Sequence, residues 1–248
     1  YFIKPPGRVL QRYHDCRKRV SIIIGPLGSA KTVQTCLKLL NLMCEQEAVN
    51  HRKSRRIGVR PSRILAVRNT YSELFTTTIK DWLEIHGDLG PFSAGGKQPP
   101  KQKIDFRLSD GTKVDSEITF IAFDRPDHVK KARGLQITWV WLNEVKELDK
   151  SVVDMLDLRH GRFPAKAKDY VNPTHHGIVG DSNAPDTDHW LYKMAEEVND
   201  LTSASRNIGN LSRVNSNLGN FNKAYAYGQK AKKLHQSLNK KLDYGLSF

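Results

Sequence analysis

Val20-Ser21-Ile22-Ile23-Ile24-Gly25-Pro26-Leu27-Gly28-Ser29-Ala30-Lys31-Thr32 is the stretch whose reading decides the fold. A β-branched run ends at Gly25, a glycine-bearing turn follows, and an apolar helical pattern starts just past Lys31. Strand, loop and helix in that order are what a phosphate cradle requires, because the loop N–H groups and the positive helix end then face a polyphosphate. Lys31 is expected to reach the β and γ phosphates, and the Thr32 hydroxyl to hold a magnesium ion. The cradle so read comprises Gly25, Pro26, Leu27, Gly28, Ser29, Ala30, Lys31 and Thr32. The pattern G-x-x-x-x-G-K-[ST] asks for glycine where Ala30 stands. The loop closes over a methyl group there if that residue does not need positive φ.

Composition bounds the partners. At 248 residues one main domain with a buried core is expected. Lys and Arg number 40 against 26 Asp and Glu, and the resulting +14 points to a polyanion, most simply nucleic acid, with a solvated basic surface as the alternative. Cys16, Cys36 and Cys44 lack C-x-x-C spacing, which suggests neither a disulfide framework nor a zinc site and fits a reducing cytoplasm. No apolar run approaches the roughly 18 residues that span a bilayer, and Y-F-I-K-P-P-G lacks the form of a secretory signal, so a soluble protein with no membrane partner is expected.

Outward from the cradle, Arg8 to Val20 reads as a basic helical lead-in, and Val33, Cys36, Leu37, Leu40, Met43 and Cys44 as one apolar helix face. His51 to Arg63 is crowded with Lys and Arg and holds no acid: either a solvated loop or a contact to a nucleic-acid backbone. Ile64 to Val67 is a short buried strand, and Thr70 with Glu73 has capping-box spacing for a helix to about Ile85. Gly87 to Pro100 reads as a loop. Ile104–Leu108 and Val114–Phe123, joined across Asp110-Gly111, form a hairpin.

Ile137 to Leu142 reads as a strand buried on both faces, so Asn143-Glu144 emerges at the carboxyl edge of the sheet, where open α/β sheets bind ligands. A helix over Lys150–Leu158, a strand at Gly177–Gly180 leading to Asp181-Ser182-Asn183, and a helix over Asp186–Glu197 follow. The order predicts a mainly parallel α/β sheet flanked by helices, with a β-hairpin insertion. Composition shifts near Asn199, giving residues 1–198 as the main domain and 199–248 as a basic helical appendage; one stretch from Leu218 resembles a single helical repeat unit, which cannot bury its own face.

Splitting a terminal phosphate needs a cradle, a metal, a group that orients water, and positive charge. Glu144 is the expected base for the attacking water. Asn143 stands where a metal-holding acid is expected: its amide accepts from a metal-bound water, or the second carboxylate comes from Asp181. Arg133 lies in a basic run before the acidic strand and either reaches its own γ-phosphate or a neighbouring subunit's, or is a plain surface arginine. Asn183 either senses the γ-phosphate or simply forms a turn.

With these residues placed, the chain from Pro5 to Glu197 resembles the ATPase domain of phage large terminases, on G-P-L-G-S-A-K-T, I-L-A-V-R-N-T-Y-S-E-L, D-R-P-D-H-V-K-K-A-R-G-L, W-V-W-L-N-E-V-K-E-L and G-D-S-N-A-P-D-T-D-H-W. The resemblance implies a P-loop sheet of the ASCE type and an ATP- and Mg2+-dependent motor. It also implies a homo-oligomeric ring around double-stranded DNA, with the viral portal protein and the small terminase as partners, in the cytoplasm of the infected host cell. By position it makes Arg133 a finger acting in trans, Glu144 the water activator, Ser182-Asn183 the coupling motif, and the segment at Gln11 the adenine contact. A nuclease domain is not expected, because the residues after Glu197 contain almost no acid. Competing readings are another P-loop nucleic-acid enzyme, a helicase or kinase, and a non-catalytic nucleic-acid-binding module.

Overall fold

The strand periodicity resolves into β1 (Val20–Ile24), β2 (Val59–Arg68), β3 (Phe92–Gly95), β4 (Gln98–Arg107), β5 (Lys113–Ala122), β6 (Trp139–Asn143) and β7 (Gly177–Ser182) in a computed structural model. The structure describes residues 5–96, 98–124, 134–194, 212, 216, 219–241 and 244–247. These seven strands lie in the order β3-β4-β5-β2-β6-β7-β1. The pairs β1–β7, β7–β6, β6–β2 and β2–β5 are parallel, and β5–β4 and β4–β3 antiparallel. The mainly parallel sheet expected from the sequence is therefore present, and its hairpin is no appendix: β5 joins the parallel set along ten residues of β2. The expected loop over Gly87–Pro100 is a strand pair in part, because β3 closes on the first residues of β4.

β6 explains the layering. All five of its residues are buried, and alternate side chains enter opposite faces. Trp139 and Trp141 join Ile64, Ala66, Phe120 and Trp82 in a core covered by α2 (Lys31–Glu45) and α4 (Lys80–His86). Pro61 is tolerated in β2 because β6 pairs only with Ile64–Val67, leaving that side of the strand free of a ladder at Pro61. Gly180 on β7 is a close approach: a Cβ there would meet Val145 Cγ2 at 2.8 Å.

Helix α2 is buried over more of its circumference than its expected apolar face. Leu39, Leu42, Gln34, Thr35 and Lys38 are inside, whereas Val33 is 45% exposed. The cause is α1 (Arg8–Asp15), which lies against α2 and is shorter than the expected lead-in. The Lys38 ammonium donates to Tyr13 O, Cys16 O and Ser21 Oγ, satisfying the carbonyls at the end of α1, and burial draws it down to about 7. Tyr13, fully buried, places its hydroxyl 2.9 Å from Thr35 Oγ1 and donates to Gly180 O, fixing α1 to α2 and β7 together.

Thr70 caps the helix as read, but half of the box is rearranged: Thr70 Oγ1 accepts from Glu73 N and donates to Glu73 Oε2, so the carboxylate meets the hydroxyl. The helix it starts is not uniform, however. Between α3 (Tyr71–Glu73) and α4 lies a π-helical turn, Leu74–Ile79. Thr76 and Thr77 donate their hydroxyls to Ser72 O and Glu73 O, competing with the backbone for those carbonyls and widening the turn. The basic run that leads into β2 and through its first residues is divided. Arg56 pairs with Asp115, Arg60 with Asp110, and Arg63 stacks over Phe163 at 4.0 Å, while Arg52, Lys53 and Arg55 stay exposed.

The described residues fall into two compact units with the break between Ala184 and Pro185, ahead of the composition shift at Asn199. In the second unit, the helix expected from Asp186 starts at Trp190 and is described to Met194, and a helix spans Phe221–Lys241. Residues 195–211 lie outside the described part. Among the described residues no helix is long and apolar enough to cross a membrane.

Candidate nucleotide site

The loop after β1 is held at both ends. Gly25 N donates to Ser182 O at the tip of β7, and Gln34 N to Ala30 O in the first turn of α2. Within it, Ser29 Oγ donates to Pro26 O at 2.7 Å, and Gly28 takes φ 73°, a conformation in which a side chain is strained. Pro26, Leu27 and Gly28 lie at the open side of the loop, where Leu27 is 85% exposed, so the cradle opens to solvent. For Ala30 the stated condition fails, although the loop forms. The residue does need positive φ, at 57° with ψ 23°, because as N-cap of α2 it turns the chain from the loop into the helix.

A left-handed alanine costs about 1–2 kcal/mol, and glycine returns about 0.5–1 of this as unfolded-chain entropy. Ala30→Gly is therefore expected to stabilise the fold by about 0.5–1 kcal/mol. A thermal melt should rise by about 2 °C; an unchanged or lower midpoint would show that the strain is relieved elsewhere.

Lys31 is 6% exposed, and its Nζ donates to Pro26 O at 2.6 Å, Ser29 Oγ at 3.3 Å and Asn183 Oδ1 at 3.1 Å. Asn183 faces the other way too: its Nδ2 donates to Glu144 Oε1 and its backbone N to Glu144 Oε2, each at 3.0 Å. One asparagine thus joins the cradle lysine to the carboxylate at the end of β6. Glu144 itself sits at φ 52°, ψ 64°, a strained conformation for a non-glycine residue of the kind that concentrates at functional sites. The turn behind it is braced by Lys146 N donating to Ser182 Oγ and by Glu147, whose Oε2 lies 3.1 Å from Arg68 Nη2; burial pushes the Glu147 carboxyl up.

Beneath this lies a second set of bonds. Thr32 Oγ1 donates to Asp181 Oδ1 at 3.1 Å, Asn143 Nδ2 to the same oxygen at 2.8 Å, and Trp141 Nε1 to Asp181 Oδ2 at 2.8 Å. Thr78 Oγ1, delivered by the π-turn, donates to Asn143 Oδ1 at 2.6 Å. Asp181 is fully buried, and burial pushes its carboxyl above the usual range; the Trp141, Asn143 and Thr32 donors pull it back, and the Glu144 charge adds to the rise. Sequence reasoning named Asp181 only as an alternative carboxylate and missed Thr78 and the Trp141 indole. The register of β6 on β7, which makes Asn143 and Asp181 direct neighbours, is the feature that joins them.

Lys31, Thr32, Asn143, Glu144 and Asn183 are thus brought to one edge of the sheet. Gln11 is exposed on α1 on the face of Arg8, Arg12 and Asp15, and among the described residues no side-chain hydrogen bond ties it to the cradle. Arg133 lies outside the described residues. Among these, no trio of His, Cys, Asp or Glu is grouped to hold a metal, but Thr32 and Asp181 form an all-oxygen donor pair of the kind magnesium takes when substrate phosphates complete its shell. A separate pocket of about 230 Å3, lined by Leu37, Leu40, Cys44, Ile85, Leu89 and Phe106 among others, lies toward the other end of α2.

The sequence matches no protein-family model and no curated protein. The fold is shared with solved structures. The large terminase of a thermophilic bacteriophage matches at a TM-score of 0.55 and 12% identity over 77% of this chain and 42% of the terminase. The same terminase in complex with ADP matches at 0.52 and 14% over 75% and 40%. The N-terminal domain of the DNA packaging ATPase from bacteriophage phi29 matches at 0.41 and 12% over 73% and 80%. The chain spans about two fifths of the length of the terminase it matches.

Proposed function

We propose that this chain contains an ATP-hydrolysing motor domain of the viral DNA-packaging type, acting on double-stranded DNA. The observation that carries the reading is the Asn183 bridge, which bonds at once to Lys31 of the cradle and to both carboxylate oxygens of Glu144. A group that binds phosphate and a group that takes a proton from water are thereby held on the two sides of one side chain. The likeness in fold to a terminase solved with ADP supports a nucleotide as the ligand.

In this reading the loop amides and Lys31 hold the β and γ phosphates of ATP, and Glu144 orients the attacking water and receives its proton. The water oxygen bonds to the γ-phosphorus as the bond to the β–γ bridging oxygen breaks, releasing ADP and phosphate. Mg2+ when bound neutralises the charge that builds on the phosphate oxygens; Thr32 is assigned to hold it, with Glu144 and the Asn143–Asp181 pair beside it. Arg133 is assigned as the finger reaching a neighbouring subunit, and the Gln11 segment as the adenine contact. The reading brings with it a homo-oligomeric ring on duplex DNA, with the viral portal protein and small terminase as docking partners, in the cytoplasm of the infected host cell.

The test is release of inorganic phosphate from ATP, expected to rise with duplex DNA or on assembly and to vanish in Lys31→Ala, which removes the ammonium from the phosphates. Transfer of the labelled γ-phosphate to a hydroxyl acceptor would assign a kinase instead. Tight ATP binding with no turnover in any DNA or assembly condition would assign a binding module.

A further inference from the structure

Resting on the nucleotide reading above, the geometry points to Asp181 on β7 as the carboxylate that anchors magnesium, with Asn143 on β6 as its positioning residue. The acid and the amide have in effect exchanged strands. Asn143 and Asp181 are register partners on adjacent parallel strands, so their side chains leave the sheet side by side. A carboxylate at either position can therefore reach the same hydroxyl. In this chain the one that does so is Asp181, whose Oδ1 accepts from Thr32 Oγ1 at 3.1 Å.

The orientation of the Asn143 amide excludes the simpler assignment. Its Nδ2 faces Asp181 Oδ1 at 2.8 Å, and turning the amide over would set one acceptor oxygen against another. Its Oδ1 is turned away and taken by the Thr78 hydroxyl at 2.6 Å. The amide thus presents a donor, not a metal ligand, toward the Asp181 oxygen that Thr32 also bonds. What it supplies is a fixed bond that, with the Trp141 indole on the other oxygen, holds the Asp181 carboxylate in one orientation. A fully buried carboxylate with three side-chain donors, one of them the hydroxyl of the cradle threonine, is a built feature of the core and not a strand exit into solvent.

The test is the Mg2+ dependence of nucleotide binding, read with a fluorescent ATP analogue titrated into the full chain in Mg2+ and in EDTA. The parent is expected to bind more tightly in Mg2+. Asp181→Asn is expected to lose that gain, by about 10–100-fold, while affinity in EDTA is retained. The double variant Asn143→Asp/Asp181→Asn returns the acid to β6 at constant charge and is expected to restore the gain. Because it keeps one buried carboxylate at the same register pair, it reports even where Asp181→Asn alone fails to fold. A folded Asp181→Asn protein with the parental Mg2+ gain, or a folded double variant without any, overturns the assignment and leaves the nucleotide reading standing. A parent that binds the analogue in neither condition overturns the nucleotide reading and this assignment with it.

Discussion

Glu144→Gln is expected to lower ATP turnover by about 10²–10⁴-fold, the range over which a positioned base acts, while nucleotide binding persists. The substitution keeps the size of the side chain and one acceptor for Asn183, and removes only the charge that takes the proton. One of the two clasp bonds to Asn183 is lost with it, a change of about 1 kcal/mol in stability, too small to unfold the domain. Glu144→Gly separates the roles further. At φ 52° the glutamate is strained, but the net relief of about 0.5–1 kcal/mol that glycine brings is smaller than the two bonds from Asn183 it forfeits, about 1 kcal/mol each, so glycine should lower the melting temperature by about 3 °C while abolishing turnover. Phosphate release and a melt on both variants check this. Turnover like the parent's in Glu144→Gln would move the base to another residue.

The elements legible in the sequence are those whose signal is local. β6 was readable because the four apolar, β-rich residues Trp139–Leu142 between polar neighbours leave little but a strand buried on both faces. The cap at Thr70 was readable because its partner Glu73 is three residues away. At Ala30 the reading stayed conditional for lack of a backbone angle: glycine is asked for at that position because the chain turns left-handed there, and it turns so with alanine as well. The π-turn was hidden because Thr76, Thr77 and Thr78 lower helix propensity without stating what replaces the helix. Asp181 and Asn143 are 38 residues apart, and only the strand order β6-β7-β1 brings them together beside Thr32.

That strand order makes the buried bonds into a line that runs across the domain. From the π-turn, Thr78 bonds Asn143, Asn143 bonds Asp181, and Asp181 bonds Thr32 at the head of α2. Above it runs the second line, Lys31 to Asn183 to Glu144. The lower line is buried up to its part-buried Thr32 end and ties helix to sheet. The upper line is partly open and ends on the groups that meet the nucleotide, so the two differ in what a ligand can change.

Asn183 is where such a change is expected to act, and its replacement gives the second large effect. Its Oδ1 accepts from Lys31, and a γ-phosphate oxygen is a stronger acceptor for the same ammonium. Binding of ATP is thus expected to draw Lys31 off the amide while Asn183 N and Nδ2 keep their hold on Glu144. Asn183→Ala frees the Glu144 carboxylate from its side-chain donor. Turnover should fall by about 10²-fold, the cost of losing near-attack geometry, with kcat affected far more than nucleotide affinity. Asn183→Asp keeps the shape and reverses the sense of one contact, setting two carboxylates against each other and leaving Lys31 paired in competition with phosphate. It should be slower than Asn183→Ala and weaker in ATP binding, an order that loss of packing alone would not produce because aspartate is the closer match in size. Steady-state turnover and ATP titration on the pair decide the matter: Asn183→Asp faster than Asn183→Ala would mean that the asparagine only turns the chain at the end of β7.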